Sequence, residues 1–154
     1  MIVVKYNIHM KVSHVQTDGA AVSTGNLMRQ MVELYCGDML PYAHRDINEV
    51  FDIVKSVPFK PDPDEFETLQ RPAYTMGECG WGGDCDDKCI ALASYCRLVG
   101  IPYNFVAVRR KDQETLHHVL CYVYIGTKWV QADPTYSFNS LGHEREAYQE
   151  YVTI

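Results

Sequence analysis

Apolar and polar residues alternate at the start of the chain. Every second residue from Ile2 to Val12 is apolar or aromatic, and most of the residues between them are polar. This period of two predicts a half-buried β-strand over residues 2–12. Asp18-Gly19 predicts a turn after the strand.

Two helices are predicted next, because apolar residues then recur three and four positions apart. The first follows Ser23 or Thr24 and is closed by Gly37. The second covers Arg45 to Ser56. The apolar sides of the two helices are predicted to carry Leu27, Met31, Leu34 and Tyr35, and Ile47, Val50, Phe51 and Val54, respectively.

The segment from Pro58 to Pro72 contains four prolines and is predicted to be extended and irregular. It leads into the glycine-rich stretch 77–83. A long loop in a small domain is typical of a binding site or of disorder.

The next helix has signals at both ends. Asp84 is a good N-cap, and Asp87 three residues later completes a capping box. Gly100, followed by Ile101 and Pro102, ends the helix. Its predicted common face consists of Cys85, Cys89, Leu92, Ala93, Cys96 and Val99.

Three strands account for the following residues: Tyr103 to Arg110, His118 to Ile125, and Lys128 to Asp133. Gly126-Thr127 suits a two-residue hairpin loop. The residues after Tyr136 are predicted to form a short polar tail. We therefore predict one α+β domain over residues 1–154, in which helices precede an antiparallel sheet.

Composition narrows the class of protein. The 154 residues are 47% apolar and 22% charged, with a net charge of -6, which indicates a globular chain with no basic surface for nucleic acid or an anionic membrane. Neither an apolar run of membrane-spanning length nor a signal peptide is recognised, so a cytoplasmic location is expected. In that location the six cysteines are expected to be reduced.

Three residues could support nucleophilic chemistry. Cys85 lies in the first turn of a predicted helix, where backbone N–H groups favour a thiolate, although three neighbouring aspartates oppose it. Pairing back from the hairpin places Leu120 opposite Asp133, and therefore His118 diagonal to Asp133 on the same sheet face. His117 points to the other face. Taken singly, each of the three could also have a purely structural role: Cys85 as a core thiol, His118 as a surface histidine and Asp133 as a turn former.

A family resemblance rests on several motifs together. These are Gly83-Asp84-Cys85-Asp86-Asp87-Lys88, Gly100-Ile101-Pro102, His118, and Trp129-Val130-Gln131-Ala132-Asp133-Pro134-Thr135. Over about residues 40 to 136 the chain resembles the transglutaminase-like superfamily, and in its cysteine motif especially the bacterial and tailed-phage members.

This resemblance implies a papain-like fold in which the catalytic helix packs on an antiparallel sheet. It also implies Cys85 as nucleophile, His118 as base and Asp133 as the residue that orients the histidine. Val119-Leu120 departs from the Ala-Trp that many relatives carry after the histidine, which affects the expected shape of the cleft. Oxyanion or cleft contacts are expected from the Cys85 backbone N–H and from Gln70, Tyr74 or Trp81, of which Trp81 could equally be a lid.

The implied activity is cysteine-dependent acyl transfer on a peptide or amide bond of a peptide or protein substrate. Protease, deamidase and cross-linking outcomes stay open, with hydrolysis preferred, and no cofactor is required. One alternative is a catalytically silent structural or binding domain, such as a component of a phage virion. Another is a zinc site at Cys79, Cys85, Cys89 and Cys96, although only one pair of these has suitable spacing.

Overall fold

The structure is a computed structural model that describes residues 4–7, 10–16, 20–64, 66–77 and 82–154; for 4–7, 10–16 and 150 it describes the backbone alone. The strands are β1 (Val4–Asn7), β2 (Met10–Gln16), β3 (Thr68–Gln70), β4 (Tyr103–Arg110), β5 (His118–Ile125), β6 (Lys128–Ala132) and β7 (Tyr148–Thr153). The helices are α1 (Ala21–Tyr35), α2 (Ile47–Ser56), α3 (Pro72–Thr75) and α4 (Cys85–Val99), with a 3-10 helix at Cys36–Tyr42.

The first predicted strand is in fact two strands. β1 and β2 pair antiparallel, with Asn7 opposite Met10, and β3 adds to β2 to complete a three-stranded sheet. A single strand over 2–12 was therefore the wrong interpretation. An alternation of period two is the same for one long strand as for two strands of a hairpin, so the pattern does not reveal the break. The predicted turn at Asp18-Gly19 lies outside the described residues.

The predicted helices are present, with shifts at their ends. α2 begins after Asp46, whose side chain accepts hydrogen bonds from two backbone N–H groups, and its predicted apolar side is buried. α1 begins a turn earlier than expected and continues into the 3-10 helix rather than ending at Gly37. Its inward side also differs, because Leu34 is 71% exposed whereas Met28 and Val32 are fully buried.

α4 lies at the centre of the molecule. It packs against α1, α2, α3, the 3-10 helix and the sheet strands β4 and β5. Residues from Asp86 to Cys96 are buried all round the helix rather than along one stripe, and Val99 is 38% exposed. Gly100 ends the helix with φ of 82°, the left-handed conformation expected of a C-terminal glycine.

The main sheet has four antiparallel strands in the order β6-β5-β4-β7. The three predicted strands and the Gly126-Thr127 hairpin are observed, with Ile125 opposite Lys128. The polar tail expected after Tyr136 is wrong, because β7 pairs with β4. Ile154, just beyond β7, is 4% exposed and packs into the main core.

The two faces of this sheet have different partners. The side that includes Phe105 and Cys121 packs on α4 and the main hydrophobic core. The opposite side forms a smaller buried cluster of Val106, Val108, Leu120 and Tyr148. The architecture is α+β, as predicted. In the part of the chain that the structure describes, we find no helix with both the length and the apolar character needed to cross a membrane.

Candidate active site

The start of α4 fixes the position of Cys85. The backbone N–H of Asp84 donates to Asp87 Oδ2 over 3.4 Å and closes the predicted capping box. A Cβ atom on Gly83 would lie 2.6 Å from the Cβ of Asp87, so a glycine is needed where the loop meets the helix. Cys85 is the first residue of α4, where backbone N–H groups have no partners within the helix.

His118 and Asp133 form a buried pair. His118 begins β5 and Asp133 follows β6, and Nε2 of the imidazole lies 2.9 Å from Oδ2 of the carboxylate. Their side chains are 4% and 2% exposed, respectively. The observed register of β5 and β6, with Cys121 opposite Ala132, is the one obtained by counting back from the hairpin.

The environment of Asp133 favours its ionised form. Burial by itself would raise the pKa of Asp133, but hydrogen bonds from His118, from the Tyr148 hydroxyl and from the backbone N–H of Thr135 lower it below its usual value. An ionised Asp133 accepts a hydrogen bond and so requires the proton of neutral His118 to lie on Nε2. The other ring nitrogen, Nδ1, is then available as a base.

Two tyrosines enclose the imidazole of His118. The ring of Tyr136 lies 5.4 Å from it and that of Tyr148 5.7 Å from it, centroid to centroid. The Tyr148 hydroxyl also donates to Asp133 Oδ2 over 2.9 Å. Tyr148 therefore helps to hold both members of the pair, although it comes from β7, the strand that the sequence analysis did not predict.

Cys85 and His118 line the same cleft, which has a volume of about 570 Å³. Its other lining residues are Lys55, Ser56, Val57, Phe59, Lys88, His117, Thr135, Tyr136, Ser137 and Phe138. Phe59 and Phe138 are 58% and 65% exposed, and Phe138 stacks on Tyr136 at 5.3 Å. The cleft therefore combines exposed aromatic rings with a thiol and an imidazole.

The environment of Cys85 opposes ionisation of its thiol. The residue as a whole keeps partial solvent exposure, but burial of the sulfur raises the pKa of Cys85 well above its usual value, and the charge of Asp84 adds to this. A hydrogen bond between the sulfur and the backbone of Val119 acts in the opposite direction. Val119 directly follows His118, so Cys85 is held close to the strand that carries the imidazole.

The structure places the proposed oxyanion contacts differently. Gln70 is 4% exposed, and its amide nitrogen donates to Asp87 Oδ2 at 2.5 Å and to the Gly82 carbonyl at 3.4 Å. Neither Gln70 nor Tyr74, which lies in α3, is among the described residues that line the cleft. Gln70 instead supports Asp87, which stabilises the start of α4. Trp81 lies outside the described residues.

A group of carboxylates lies beside Cys85. Oxygen atoms of Asp84, Asp86 and Asp87 lie within 4.8 Å of one another. Oδ1 of Asp84 and Oδ1 of Asp86 are buried and have no hydrogen-bond partner. Burial and the charge of Asp84 raise the pKa of both Asp87 and the adjacent Glu67, and burial is the main cause of a raised pKa at Asp86 as well.

The cysteines considered for a zinc site do not form a group of metal ligands among the described residues. Within the described ranges, the only group of three or more potential ligands is the aspartate group just named, and Cys79 lies outside them. The Cys89 thiol donates to the Val119 carbonyl at 3.5 Å. Cys85, Cys89 and Cys96 are free thiols in this structure, of which the last two are buried in the core around α4.

Lys88 is a site feature that the sequence analysis quoted only as part of a motif. It is 1% exposed and lines the cleft, and its Nζ donates to the Lys55 carbonyl at 3.1 Å. Burial lowers the pKa of Lys88, whereas the charge of Asp133 opposes this effect. Its position one turn after Cys85 in α4 was the available signal.

Comparisons with known proteins identify the family and the fold of the chain. A family model described as the transglutaminase-like superfamily matches residues 33–134. Two solved structures of LapG from Legionella pneumophila share the fold. The match to the calcium-bound structure has a TM-score of 0.55 and 14% identity and covers 80% of each chain. The match to the EGTA-treated structure has a TM-score of 0.50 and 13% identity and covers 80% of this chain and 77% of the other. A search of curated proteins finds no significant match, and the resemblance to phage members stays a prediction. The chain belongs to the transglutaminase-like superfamily.

Proposed function

We propose that this protein is a cysteine-dependent acyl transferase that hydrolyses a peptide or amide bond. The observation that carries the proposal is the buried His118–Asp133 pair in the same cleft as Cys85, the first residue of α4. A thiol nucleophile with a base that is itself oriented by a third group is the arrangement used for nucleophilic acyl transfer. Membership of the superfamily supports a cysteine-based enzyme.

In the proposed reaction, Nδ1 of His118 accepts the thiol proton of Cys85. The sulfur forms a bond to the carbonyl carbon of the substrate, and the developing oxyanion is stabilised by N–H groups at the start of α4. The carbon–nitrogen bond then breaks, and His118 returns the proton to the leaving amine. Water attacks the thioester with His118 again as base, so that a carboxylic acid is released and the Cys85 thiol is restored.

The acidic groups near Cys85 oppose formation of a thiolate–imidazolium ion pair with His118. Because burial and Asp84 disfavour the thiolate of Cys85, a nearby imidazolium is needed to stabilise it. Asp133 is the group that stabilises this imidazolium, since its carboxylate contacts Nε2 at 2.9 Å. The proposed division of roles thus follows from the charges around the thiol.

The direct test is to measure the reactivity of Cys85. We expect iodoacetamide to modify Cys85 faster than a free thiol at neutral pH, and a peptide library to leave an acyl adduct on Cys85 detectable by mass spectrometry. Cys85→Ala should remove both signals and keep the fold. Cys36→Ala is the matched control, because Cys36 is another partly exposed free thiol that lies outside the cleft lining.

Two results would contradict the proposal. One is a Cys85 that reacts no faster than free thiol and forms no adduct, which would favour a silent binding or structural domain. The other is turnover retained in Cys85→Ala.

We also propose that Asp84, Asp86 and Asp87 hold a calcium ion. The donor set fits a hard cation, because it consists of carboxylate oxygens within 4.8 Å of one another, two of them buried without partners. One of the similar LapG structures is described as calcium-bound, and the other as EGTA-treated. When bound, the ion would offset the carboxylate charge next to Cys85.

Thermal unfolding tests the calcium site without reference to activity. We expect calcium to raise the melting temperature, and EGTA to reverse the rise, because a ligand that binds the folded state stabilises it. Asp86→Asn should abolish the response. Asp112→Asn is the control, since Asp112 is exposed and pairs with Arg110. Equal melting temperatures with calcium and EGTA would rule out the site.

A further inference from the structure

The residues that line the cleft differ in composition from the whole chain. The chain carries 20 acidic and 14 basic residues. Among the described residues that line the cleft, however, there are two lysines and two histidines and neither an aspartate nor a glutamate. The acidic side chains at the start of α4 form their own group, as Asp84, Asp86 and Asp87 show. The positive charge that this cleft can present to a ligand therefore depends on its lysines.

Lys55 and Lys88 contribute differently to this charge. Lys55 Nζ donates to Asp52 Oδ1 at 2.8 Å and to the Asn139 carbonyl at 3.0 Å, so a carboxylate of the protein already neutralises it. Lys88 Nζ has one hydrogen bond, to the Lys55 carbonyl. Within the described part of the chain it forms no ion pair with a carboxylate, and the charge of Asp133 acts on it only from farther away. Two of its three N–H donors therefore lack an acceptor there.

A structural role explains only part of the position of Lys88. The Lys55 carbonyl lies in the last turn of α2, where a cation is favourable. One N–H group is enough for that contact. A fully buried ammonium with donors to spare is costly unless a further acceptor binds, and the cleft that Lys88 lines also contains Cys85 and His118.

We propose that Lys88 binds a carboxylate of the substrate next to the scissile amide, so that the substrate class is acidic peptides. The position of this carboxylate next to a scissile amide rests on the proposed function, whereas the binding of a carboxylate by Lys88 does not. Water is largely excluded around a side chain that is 1% exposed, which strengthens an ion pair with the incoming carboxylate. The exposed rings of Phe59 and Phe138 would contact the neighbouring apolar residues of the same peptide.

Binding can be measured in Cys85→Ala protein, in which no turnover occurs. Three pentapeptides serve as probes: a capped one with a central glutamate between two phenylalanines, a capped one with glutamine in its place, and one with glutamine and a free C-terminal carboxylate. We expect the glutamate peptide to bind about tenfold or more tightly than the glutamine peptide, because hydrogen bonds to a charged group are worth this much. Preference for the third peptide would instead identify a terminal carboxylate as the bound group.

Variants then identify the residue that causes the preference for the charged peptide. Lys88→Gln in the same background should bring the charged and neutral peptides to equal affinity. Lys128→Gln removes the same charge from an exposed residue of the hairpin and should leave the preference unchanged. If Lys88→Gln does not fold, Lys88→Met replaces it, because methionine fills a similar volume with an apolar side chain. The preference of the Cys85→Ala protein for the charged peptide is measured without either variant.

The outcomes separate this inference from the proposed reaction. Equal binding of all three peptides, or a preference that survives in folded Lys88→Gln or Lys88→Met, overturns the role of Lys88 and limits it to contact with α2. A preference for a charged peptide that Lys88→Gln removes supports the inference even if the wild-type protein cleaves none of the peptides. In that case only the proposed reaction fails.

Discussion

Replacing Asp133 by asparagine tests the geometry of the site most directly. The substitution keeps the shape of the side chain but removes the charge that faces His118. In the structure, Oδ2 accepts from His118 Nε2 and from the Tyr148 hydroxyl, each at 2.9 Å, and both the histidine and the aspartate are almost fully buried.

The size of the expected slowing follows from these contacts. A hydrogen bond to a charged partner contributes about 1.5–3 kcal/mol, and the Coulomb energy of two charges about 4 Å apart at an effective dielectric constant near 20 is about 4 kcal/mol. The two terms overlap, so we take about 3–4 kcal/mol. Since each 1.4 kcal/mol is about a factor of ten, Asp133→Asn should slow both alkylation of Cys85 and turnover by about 100-fold to 1,000-fold.

The assay is iodoacetamide alkylation at neutral pH, followed by intact mass. It uses a Cys36→Ala background, because Cys36 is the other partly exposed thiol among the described residues. Tyr148→Phe is the graded control. It removes a neutral donor and keeps the carboxylate of Asp133, so a slowing of less than about tenfold is expected. A folded Asp133→Asn protein that reacts within about threefold of the parent, or a Tyr148→Phe protein that is equally slow, would refute the reasoning.

Three further predictions concern stability, each measured by urea unfolding. Gly25→Ala should lower the free energy of unfolding by about 1–3 kcal/mol, because its Cβ would lie 2.5 Å from the backbone of Ile154; equal stability would contradict that packing. Gln70→Ala should cost about 1.5–3 kcal/mol by leaving the buried Asp87 carboxylate with fewer donors, and a loss under about 0.5 kcal/mol would argue against its supporting role. The depressed pKa of Asp133 stabilises the fold above the pKa of an unfolded aspartate, near 3.9, and this contribution is lost as the pH falls through the folded value. Asp133→Asn should therefore lose less stability than the parent between about pH 4 and pH 2, and identical pH curves would contradict this.

Local signals were sufficient for α4 and for the hairpin. Asp84 and Gly100 mark both ends of the helix within the sequence itself, because capping and the left-handed conformation depend on neighbouring residues. The Gly126-Thr127 loop fixes the register of β5 and β6, which is why His118 rather than His117 could be placed beside Asp133.

Non-local features could not be predicted in the same way. β7 pairs with β4, about forty residues earlier in the chain, and its six residues mix polar and aromatic side chains without a clear period. The side chain of Gln70 was expected in the cleft, but the need of buried Asp87 for hydrogen-bond donors decides its position. Lys88 is buried only because α2 and the cleft wall meet around it.

The place of Tyr148 in the chain sets an order of assembly. During synthesis the ribosome releases Cys85, His118 and Asp133 before it releases Tyr148, whose hydroxyl completes the hydrogen bonding of Asp133. A nascent chain that ends before β7 therefore carries the thiol, the imidazole and the carboxylate without the residue that holds the last two together. Completion of the site is in this sense tied to completion of the sheet, because the hydrogen bonding of Asp133 is complete only when β7 is in place.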